Sequence, residues 1–249
     1  IDEGFNYSVV DITLDGGLGD IVSKNSPLLN KCSEKITAVL KDCGSGSIWV
    51  ITLADQNGIG GIFNTYHAFE ITTTGINTTS VKSTFPINIS DPRGQIKVSP
   101  NGEKFISANM QNGLYLYDFD ANTGTLSNQQ SLIIVSTSPS PYGVEFSQNS
   151  SKLYVHSTNN AGANLPASSH RSTLTQFDLL EADIQSSAFV LDQQSLYRGS
   201  LQLAANGKIY RALSANYLTG LPALGVIDNP NEQGAAATYI HNAIDLSPG

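Results

Sequence analysis

The chain has 249 residues, of which 40% are apolar and only 14% are charged, against roughly 25% charged residues in an average soluble domain. So few Lys and Glu residues argue against long solvated helices and coiled coils, while plentiful aromatic and β-branched residues argue against disorder. Thirteen basic and twenty-one acidic residues give a net charge of −8 without any Lys/Arg cluster. A nucleic-acid partner is therefore not expected, and no apolar stretch is long enough to insert into a membrane.

Two strands are predicted at the N-terminal end, from Asn6 to Leu14 and from Gly19 to Ser23, joined by a glycine-rich turn. The turn lacks the third glycine and the following helix of a dinucleotide-binding motif. The next predicted strand, Glu34 to Lys41, lies between Cys32 and Cys43. Eight extended residues span about 25 Å, whereas a disulfide needs Cα atoms within about 7 Å. Both cysteines are therefore predicted to be thiols.

A hairpin pattern then recurs along the chain. Each copy is an alternating apolar strand, a tight turn at an asparagine and a second alternating strand, at Gln95 to Ser107, Gly143 to Val155 and Leu201 to Arg211. A looser copy runs from Lys35 to Ile51. Asn-Gly between apolar runs predicts a two-residue turn in which both residues have positive φ, so we expect this at Asn101-Gly102 and Asn206-Gly207.

A third strand follows each hairpin, and a weaker fourth strand follows that. The third strands are predicted at Tyr66 to Ile71, Leu114 to Phe119, Leu174 to Leu179 and Leu224 to Ile227, and three of them are followed or ended by an aspartate, namely Asp118, Asp178 and Asp228. The fourth strand of one repeat is predicted at Ser131 to Val135. Four antiparallel strands recurring about every 40 to 57 residues are typical of a β-propeller blade.

The sequence therefore predicts an all-β protein, a single β-propeller domain of four-stranded antiparallel blades over residues 1–249. A β-sandwich is the competing fold, but it does not predict the same hairpin at each period. The blades are placed at about 34–83, 94–135, 142–191 and 198–240, with a half-blade at 5–25. Because four and a half blades leave apolar faces and strand edges open, we expect an incomplete ring, completed by residues before Ile1 or by another chain. The alternative is a small ring closed by the C-terminal segment.

Several of these stretches resemble a known family. The segments Tyr7 to Asp20, Glu34 to Val39, Gly143 to Ser147, Leu201 to Tyr210 and Val226 to Asn231 are similar to phrases in large surface proteins, associated with gliding motility, of type IX-secreting bacteria. In that family, propeller modules precede PKD-like repeats and a sorting domain. The resemblance implies secretion to the outer cell surface and a role in adhesion or surface assembly. It carries no catalytic motif.

Loop lengths indicate where a partner could bind. In a four-stranded blade the loops between the second and third strands share one face with the crossings between blades. These loops are long here, at 54–65, 157–173 and 215–221, with crossings at 85–93 and 193–198. Binding residues gather on loops held by a rigid scaffold, although drift in loop length without function explains the pattern equally well. The candidate binding residues of this face and of the central channel are Arg93, Tyr142, Glu145, His170, Arg171, Arg198 and Tyr217.

No catalytic or metal-binding constellation is recognisable. The four histidines lack metal-ligand spacing, and Asp118 to Gln129 departs from an EF-hand calcium loop at its sixth and twelfth positions. The sequence therefore predicts no catalytic residues, metal or cofactor, and favours an extracellular interaction module that binds a protein or glycan. A structural spacer is indistinguishable from it. The alternative is a propeller lactonase, because Ser99-Pro100-Asn101-Gly102 followed by Lys104-Phe105 also occurs in that superfamily; Glu145 and Arg198 are then the candidate chemical groups.

Overall fold

Five separate antiparallel sheets account for nearly all the regular structure in the computed structural model, which describes residues 3–163 and 165–247. The first sheet has two strands, β1 (Phe5–Asp11) and β2 (Asp20–Leu29). The second contains β3 (Ile36–Leu40), β4 (Ile48–Ala54), β5 (Phe63–Thr72) and β7 (Val81–Ile89), with the short β6 (Gly75–Ile76) folded back on the end of β5.

The remaining three sheets repeat the same four-stranded order. One contains β8 (Ile96–Val98), β9 (Lys104–Asn109), β10 (Gly113–Asp120) and β11 (Thr125–Leu132). The next contains β12 (Ser140–Phe146), β13 (Lys152–Thr158), β14 (Ser172–Asp178) and β15 (Phe189–Gln194). The last contains β16 (Leu201–Leu203), β17 (Ile209–Ser214), β18 (Gly220–Ile227) and β19 (Tyr239–Asp245).

Helix is confined to short 3-10 turns in the described residues, at Asp15–Gly17, Ala167–Ser169, Ile184–Ser187 and Gly234–Ala237. None of the helical segments described is long enough to span a bilayer. We call the four large sheets blade 1 to blade 4 in chain order and the β1–β2 sheet the half-blade. In each blade the strands follow one another in sequence across the sheet, so the chain is a β-propeller, as the sequence predicted.

Apolar side chains packed between neighbouring sheets form the core. Trp49 and Tyr66 of blade 1 pack against Phe105 and Tyr117 of blade 2 in one buried cluster. Equivalent clusters join blades 2 and 3, blades 3 and 4, and the half-blade and blade 1. The alternating apolar and aromatic residues of the strands predict a core between the blades; in the structure Trp49, Phe105, Phe146, Tyr154 and Phe177 are buried there, whereas Val98, Tyr115, Leu203 and Tyr210 are half-buried.

The recurring aspartates at the ends of the third strands have a common structural partner. Asp178 accepts a hydrogen bond from Lys152 Nζ at 2.7 Å, and both side chains are buried. Asp118 and Asp228 pair in the same way with the lysines that begin or precede the second strands of their blades, Lys104 and Lys208. The aspartate therefore anchors the end of the third strand to the start of the second.

Several strands extend beyond their predicted bounds. β2 continues to Leu29, and β7 continues to Ile89, through residues expected to be a crossing. Pro27 and Pro86 are tolerated because β2 and β7 are edge strands. A proline has no N–H to donate, and on the open side of an edge strand no sheet hydrogen bond is lost. The fourth strand of blade 2 is β11 rather than Ser131 to Val135. The outer strand of blade 4, β19, extends to Asp245, beyond the predicted end of this blade at about residue 240.

The hairpin turns are wider than the two-residue turns that Asn-Gly predicted. Only the glycines have positive φ, with 74° at Gly102 and 78° at Gly207, while Asn101 and Asn206 do not. The N–H of Gly102 donates to the carbonyl oxygen of Ser99 at 2.8 Å, so the turn starts at Ser99. In blade 3 a non-glycine residue, Ser150, takes the left-handed conformation at φ 62°. The two cysteines are thiols, with Cys32 buried and Cys43 exposed.

Blade 4 and the half-blade are not joined in the described part of the chain. The sheet hydrogen bonds of blade 4 stay within its own four strands, and none of the four apolar clusters combines residues of blade 4 with residues of the half-blade. Ile240 and Ile244 of β19 are exposed, as are Val10 and Ile21 of the half-blade. No sheet pairing or apolar cluster therefore closes a small ring within residues 3–163 and 165–247, and completion of the ring by further strands stays a prediction.

A buried polar network crosses the interface of blades 3 and 4. The guanidinium of Arg211 is fully buried and donates from Nε to His156 Nδ1 at 3.0 Å and from Nη1 to Asp192 at 2.6 Å. Because Nδ1 accepts, the Nε2–H of His156 donates to the carbonyl oxygen of Tyr197 at 3.0 Å. Burial, followed by the charge of Arg211, holds the pKa of His156 well below its usual range. The imidazole is therefore neutral in the folded protein.

Gly102→Val is expected to lower the free energy of unfolding by about 1–2 kcal/mol, because a side chain disfavours the left-handed conformation. A Cβ there would meet Ala121 at an ordinary 3.6 Å, so the loss is conformational. The measurement is urea unfolding followed by the fluorescence of Trp49. As a control, Gly220→Ala should change stability by less than about 0.5 kcal/mol, since Gly220 lacks a positive φ and has open space around it. If both variants lost the same unfolding free energy, the left-handed conformation of Gly102 would not be the cause of the loss.

Stability is expected to fall as the pH drops below about 6.5, the ordinary pKa of histidine. Below that pH, His156 binds a proton in the unfolded chain but stays neutral in the folded protein, where the pKa of its imidazole is lowered. Protonation therefore favours the unfolded state. Unfolding free energies of the wild type and His156→Gln should be compared at pH 7.5 and 5.5. The wild type should lose more stability between these values than the variant. The same loss in both proteins would show that residue 156 does not contribute.

Candidate functional site

The loops between the second and third strands emerge at the end of the propeller where the inner strands β3, β8, β12 and β16 begin. In the structure these loops cover residues 55–62, 159–171 and 215–219, and the crossing that enters blade 2 is reduced to residues 90–95. We call this end the long-loop face. The turns at the opposite end, between the first and second strands of blades 2, 3 and 4, are five residues long.

The longest loop, of which residues 159–163 and 165–171 are described, is held at its base by hydrogen bonds. Asn159 Nδ2 donates to the carbonyl oxygen of Ser169 at 2.9 Å, and Asn159 Oδ1 accepts from the N–H of Arg171 at 3.2 Å. His170 is buried, and its Nε2 lies 3.2 Å from the carbonyl oxygen of Leu165. His170 therefore fastens the loop from inside.

Tyr197, which the sequence analysis missed, connects several predicted residues. Its ring lies edge-on to His170 at 4.9 Å and to Tyr217 at 6.4 Å between centroids. The guanidinium of Arg198 lies 4.7 Å from the centroid of the Tyr197 ring and 5.9 Å from that of Tyr142. Its position beside Arg198, just before an inner strand, was the signal that could have identified it. Tyr142, His170, Arg198 and Tyr217 thus form one continuous group around Tyr197.

Tyr217 and Leu218 project from the shortest of these loops. Asn216 Oδ1 accepts hydrogen bonds from the N–H groups of Leu218 and Thr219, both at 2.9 Å, which is the local turn that an asparagine side chain stabilises. The side chains at the tip remain in solvent, with Tyr217 64% and Leu218 82% exposed. Large apolar side chains on an ordered loop are a feature of contact surfaces.

Arg171 borders a polar pocket of about 380 Å³ on the same face. Its Nη1 donates to the carbonyl oxygens of Ser168 and His170, both at 2.7 Å, and to Ser195 Oγ at 3.2 Å. The pocket is lined by Thr137, Ser138, Arg171, Ser172, Thr173, Gln193, Gln194 and Ser195. The hydroxyl groups of Ser138 and Thr173 are buried there without a hydrogen-bond partner among the described residues. All eight residues that line the pocket are polar.

The mouth of the central channel contains charged groups that bind one another. Arg93 makes a two-pronged ion pair with Asp91, and Glu34 accepts from the N–H of Gly94 at 2.9 Å. Lys35 is buried, its Nζ donates to the carbonyl oxygen of Pro92 at 3.2 Å, and burial lowers its pKa to about 8. A pocket of about 270 Å³ lies beside these groups and reaches Tyr142.

Glu145 lies deeper, between the inner strands of three blades. It forms an ion pair with Lys97 at 3.0 Å and accepts hydrogen bonds from the N–H groups of Leu203 and Phe146, each at 3.0 Å. Lys97 also donates to Gln202 at 2.8 Å, and above this level Gln95 Nε2 donates to Ser200 Oγ at 2.7 Å. The inner strands of blades 2 and 4 are thus bonded to each other as well as to blade 3. Glu145 serves this junction and is separated from the group around Tyr197.

No group of three or more His, Cys, Asp or Glu residues in the described part of the chain is arranged to hold a metal ion. In the loop from Asp118 to Gln129, Asp118 binds Lys104 and Asn128, while Asp120 accepts from the N–H of Asn122 at 2.9 Å. These carboxylates stabilise a turn and an ion pair.

No protein-family model matches the chain, and no curated protein matches its sequence. Similar solved structures do exist. A 6-phosphogluconolactonase-like protein from Bacteroides uniformis is 13% identical, with a TM-score of 0.52 over 98% of this chain and 67% of that one. A similar protein from Bacteroides fragilis, also 13% identical, gives 0.48 over 88% of this chain and 58% of that one. TolB from Acinetobacter baumannii is 14% identical and gives 0.47 over 88% of this chain and 48% of that one.

These similarities concern the fold alone, because the identities are low. The chain spans about half to two thirds of the length of these proteins. The repeated four-stranded antiparallel sheets of this chain are the blades of a β-propeller.

Glu145→Gln is expected to lower the free energy of unfolding by about 1.5–3 kcal/mol, the usual contribution of hydrogen bonds to a charged group, because Lys97 loses its buried counter-charge. Glu103→Gln is the matched control. Glu103 is exposed and accepts from Asn101, so this variant should change stability by less than about 0.5 kcal/mol. Chemical denaturation measures both. A Glu145→Gln protein as stable as the control would show that the three-blade junction is unimportant.

Proposed function

We propose that this propeller is a non-catalytic interaction module of the outer cell surface or extracellular space, binding a protein or glycan through its long-loop face in adhesion or surface assembly. The observation that carries the proposal is the combination of exposed Tyr217 and Leu218 with the polar pocket beside Arg171, on loops fastened from inside. A rigid scaffold that presents ordered loops loses little conformational entropy on binding.

The chemistry of this face suits a polar ligand with apolar patches. Guanidinium, amide and hydroxyl groups around the pocket donate and accept hydrogen bonds, and the ring of Tyr217 offers an apolar surface with a polar tip. Sugar rings have both properties, as do loops of other proteins. The low content of charged residues and the net charge of −8 disfavour anionic polymers. The extracellular setting is supported by the sequence resemblance to surface proteins of type IX-secreting bacteria.

A lactonase is the second candidate, supported by the structural likeness to 6-phosphogluconolactonase-like proteins at 13% identity. The carboxylate proposed for this reaction argues against it, because Glu145 is already bonded to Lys97 and to two backbone N–H groups. Hydrolysis of any member of a lactone panel by the wild type, abolished in a folded Glu145→Gln protein, would replace the interaction module with an enzyme.

Binding is expected to depend on the long-loop face when the protein is screened against glycans and secreted surface proteins. Tyr217→Ala and Arg171→Ala should each weaken the binding of a partner found in the screen by about tenfold or more, within the range of interface anchor residues. Replacing residues 160–168 by a short Gly-Ser linker should have the larger effect.

Leu180→Ala is the control, because Leu180 is equally exposed but lies in a turn at the opposite end, between β14 and β15. It should bind like the wild type. Unchanged binding in the trimmed protein, measured by surface plasmon resonance after its fold is verified by circular dichroism, would move the binding site away from this face.

A further inference from the structure

The four arginines of the chain differ in what compensates their charge. Arg93 and Arg211 each pair with an aspartate, and the guanidinium of Arg198 lies against two tyrosine rings. Arg171 has neither a carboxylate within ion-pair distance nor a ring contact among residues 3–163 and 165–247. An uncompensated arginine that lines a pocket is a candidate for binding an anion.

The guanidinium of Arg171 is anchored on one side only. Its Nη1 donates to two carbonyl oxygens and to Ser195 Oγ, whereas the edge formed by Nε and Nη2 has no hydrogen-bond partner in the described part of the chain. Arg171 is an exposed residue. In Arg93 the same two atoms hold the carboxylate of Asp91. Arg171 therefore has a pre-positioned pair of N–H groups of the kind that binds a carboxylate in two-pronged fashion.

The pocket of about 380 Å³ beside Arg171 is polar throughout. Its base contains Ser138, Ser172 and Thr173, which are at most 2% exposed, and its rim contains exposed residues such as Gln193. All eight lining side chains have hydroxyl, amide or guanidinium groups, which donate and accept hydrogen bonds. Such a lining matches a ligand that has hydroxyl groups on several sides, as a sugar ring has.

The acidic residue next to the pocket in sequence does not oppose an anion. Asp192 accepts from Arg211 Nη1 at 2.6 Å and from Gln194 Nε2 at 2.9 Å, so its charge is compensated within the protein. The second bond also orients the amide of Gln194, which lines the pocket. Arg171 is the only charged residue of the lining within the described ranges. One positive charge balances one carboxylate, whereas a phosphate monoester has a charge of about −1.5 to −2.

We propose that the pocket beside Arg171 binds a saccharide with one carboxylate, a hexuronic acid residue. The carboxylate pairs with Nε and Nη2 of Arg171, and the sugar hydroxyl groups hydrogen-bond to the side chains of the pocket. The inference rests on the proposed interaction module and specifies its ligand. A single carboxylate is compatible with the net charge of −8, which repels long polyanions.

An aspartate or glutamate side chain of a partner protein is a poorer occupant. It would bring methylene groups to a lining without apolar side chains. It would also displace water from the hydroxyl groups of Ser138 and Thr173 at the base without replacing the hydrogen bonds. Buried polar groups left without partners are costly. A uronic acid offers a carboxylate and hydroxyl groups together.

The probes are the methyl glycosides of D-glucuronic and D-galacturonic acid. The matched neutral probes are the methyl glycosides of D-glucose and D-galactose, in which a CH₂OH group replaces the carboxylate. Titration is followed by NMR, through saturation transfer to the probe and through shifts of the backbone amides of Thr173 and Gln194. We expect saturable binding of at least one acidic probe at millimolar concentration, with binding of its neutral counterpart weaker by about tenfold or more.

Arg171→Gln should weaken the binding of the acidic probe by about tenfold or more and leave that of the neutral probe unchanged. Lys24→Gln is the control, because it removes the same charge at an exposed site on the half-blade; it should bind like the wild type. Since Arg171 also anchors its loop, Thr137→Asp is a second variant. It adds a carboxylate at the exposed rim without removing an anchor, and should weaken acidic binding about threefold or more.

Equal affinity for the acidic and neutral glycosides would overturn the proposal, as would no saturation by either acidic probe or acidic binding unchanged in Arg171→Gln or Thr137→Asp. Acetate binding as tightly as the uronosides would show an anion site that does not recognise a sugar, and would also overturn it. The proposed interaction module survives each of these outcomes. It fails only if partner binding is independent of the long-loop face, which the protein with the trimmed 160–168 loop tests.

Discussion

A β-sheet with apolar residues on both faces must be covered on both sides, and this requirement organises the molecule. Trp49 and Ile51 point from blade 1 towards blade 2, while Ile48 and Val50, which alternate with them along β4, point the other way. Each blade is at once the partner of the preceding sheet and the support of the next one. Stability is therefore a sum over neighbouring interfaces, in the manner of repeat proteins.

Polar groups within this stack serve mainly to fix neighbouring strands and blades relative to each other. The buried Lys152–Asp178 pair connects two strands of one sheet, and Arg211 connects blades 3 and 4 through His156 and Asp192. A buried ion pair contributes little net stability over an apolar substitute but is costly when only one partner is removed. These contacts specify one arrangement of the sheets, and they leave the loops as the part of the surface that is free to vary.

The sequence was sufficient to predict the fold because its signal is repeated. Alternation and a turn at Asn101, Asn149 and Asn206 recur at each hairpin, so an error in one copy is corrected by the others. Strand ends were less predictable, since Pro27 and Pro86 suggest a break and only the position of β2 and β7 at sheet edges makes them acceptable. The aspartates were recognised as a pattern, but their lysine partners precede them by 14 to 26 residues and were missed.

The candidate site was predicted in part, for a related reason. The loops with Tyr217 and Arg171 stand out by length, whereas Tyr197 matters through contacts with residues 27 positions before it and 20 after it. Such contacts between distant segments leave no periodic trace in a single sequence. Glu145 shows the converse, because its place on an inner strand suggested a ligand-facing group, and only the register of three blades reveals Lys97 and the N–H of Leu203 as its partners.

The hydrogen bonds between blades 2 and 4, Gln95 to Ser200 and Lys97 to Gln202, have a consequence for how such a chain can evolve. Propellers grow by duplication of whole blades, and a new blade inserted between blades 2 and 4 would separate both pairs of partners. Duplication next to the half-blade or beyond blade 4 would disturb neither. The three blades joined at the centre should therefore be inherited as a unit, with changes in blade number confined to its flanks.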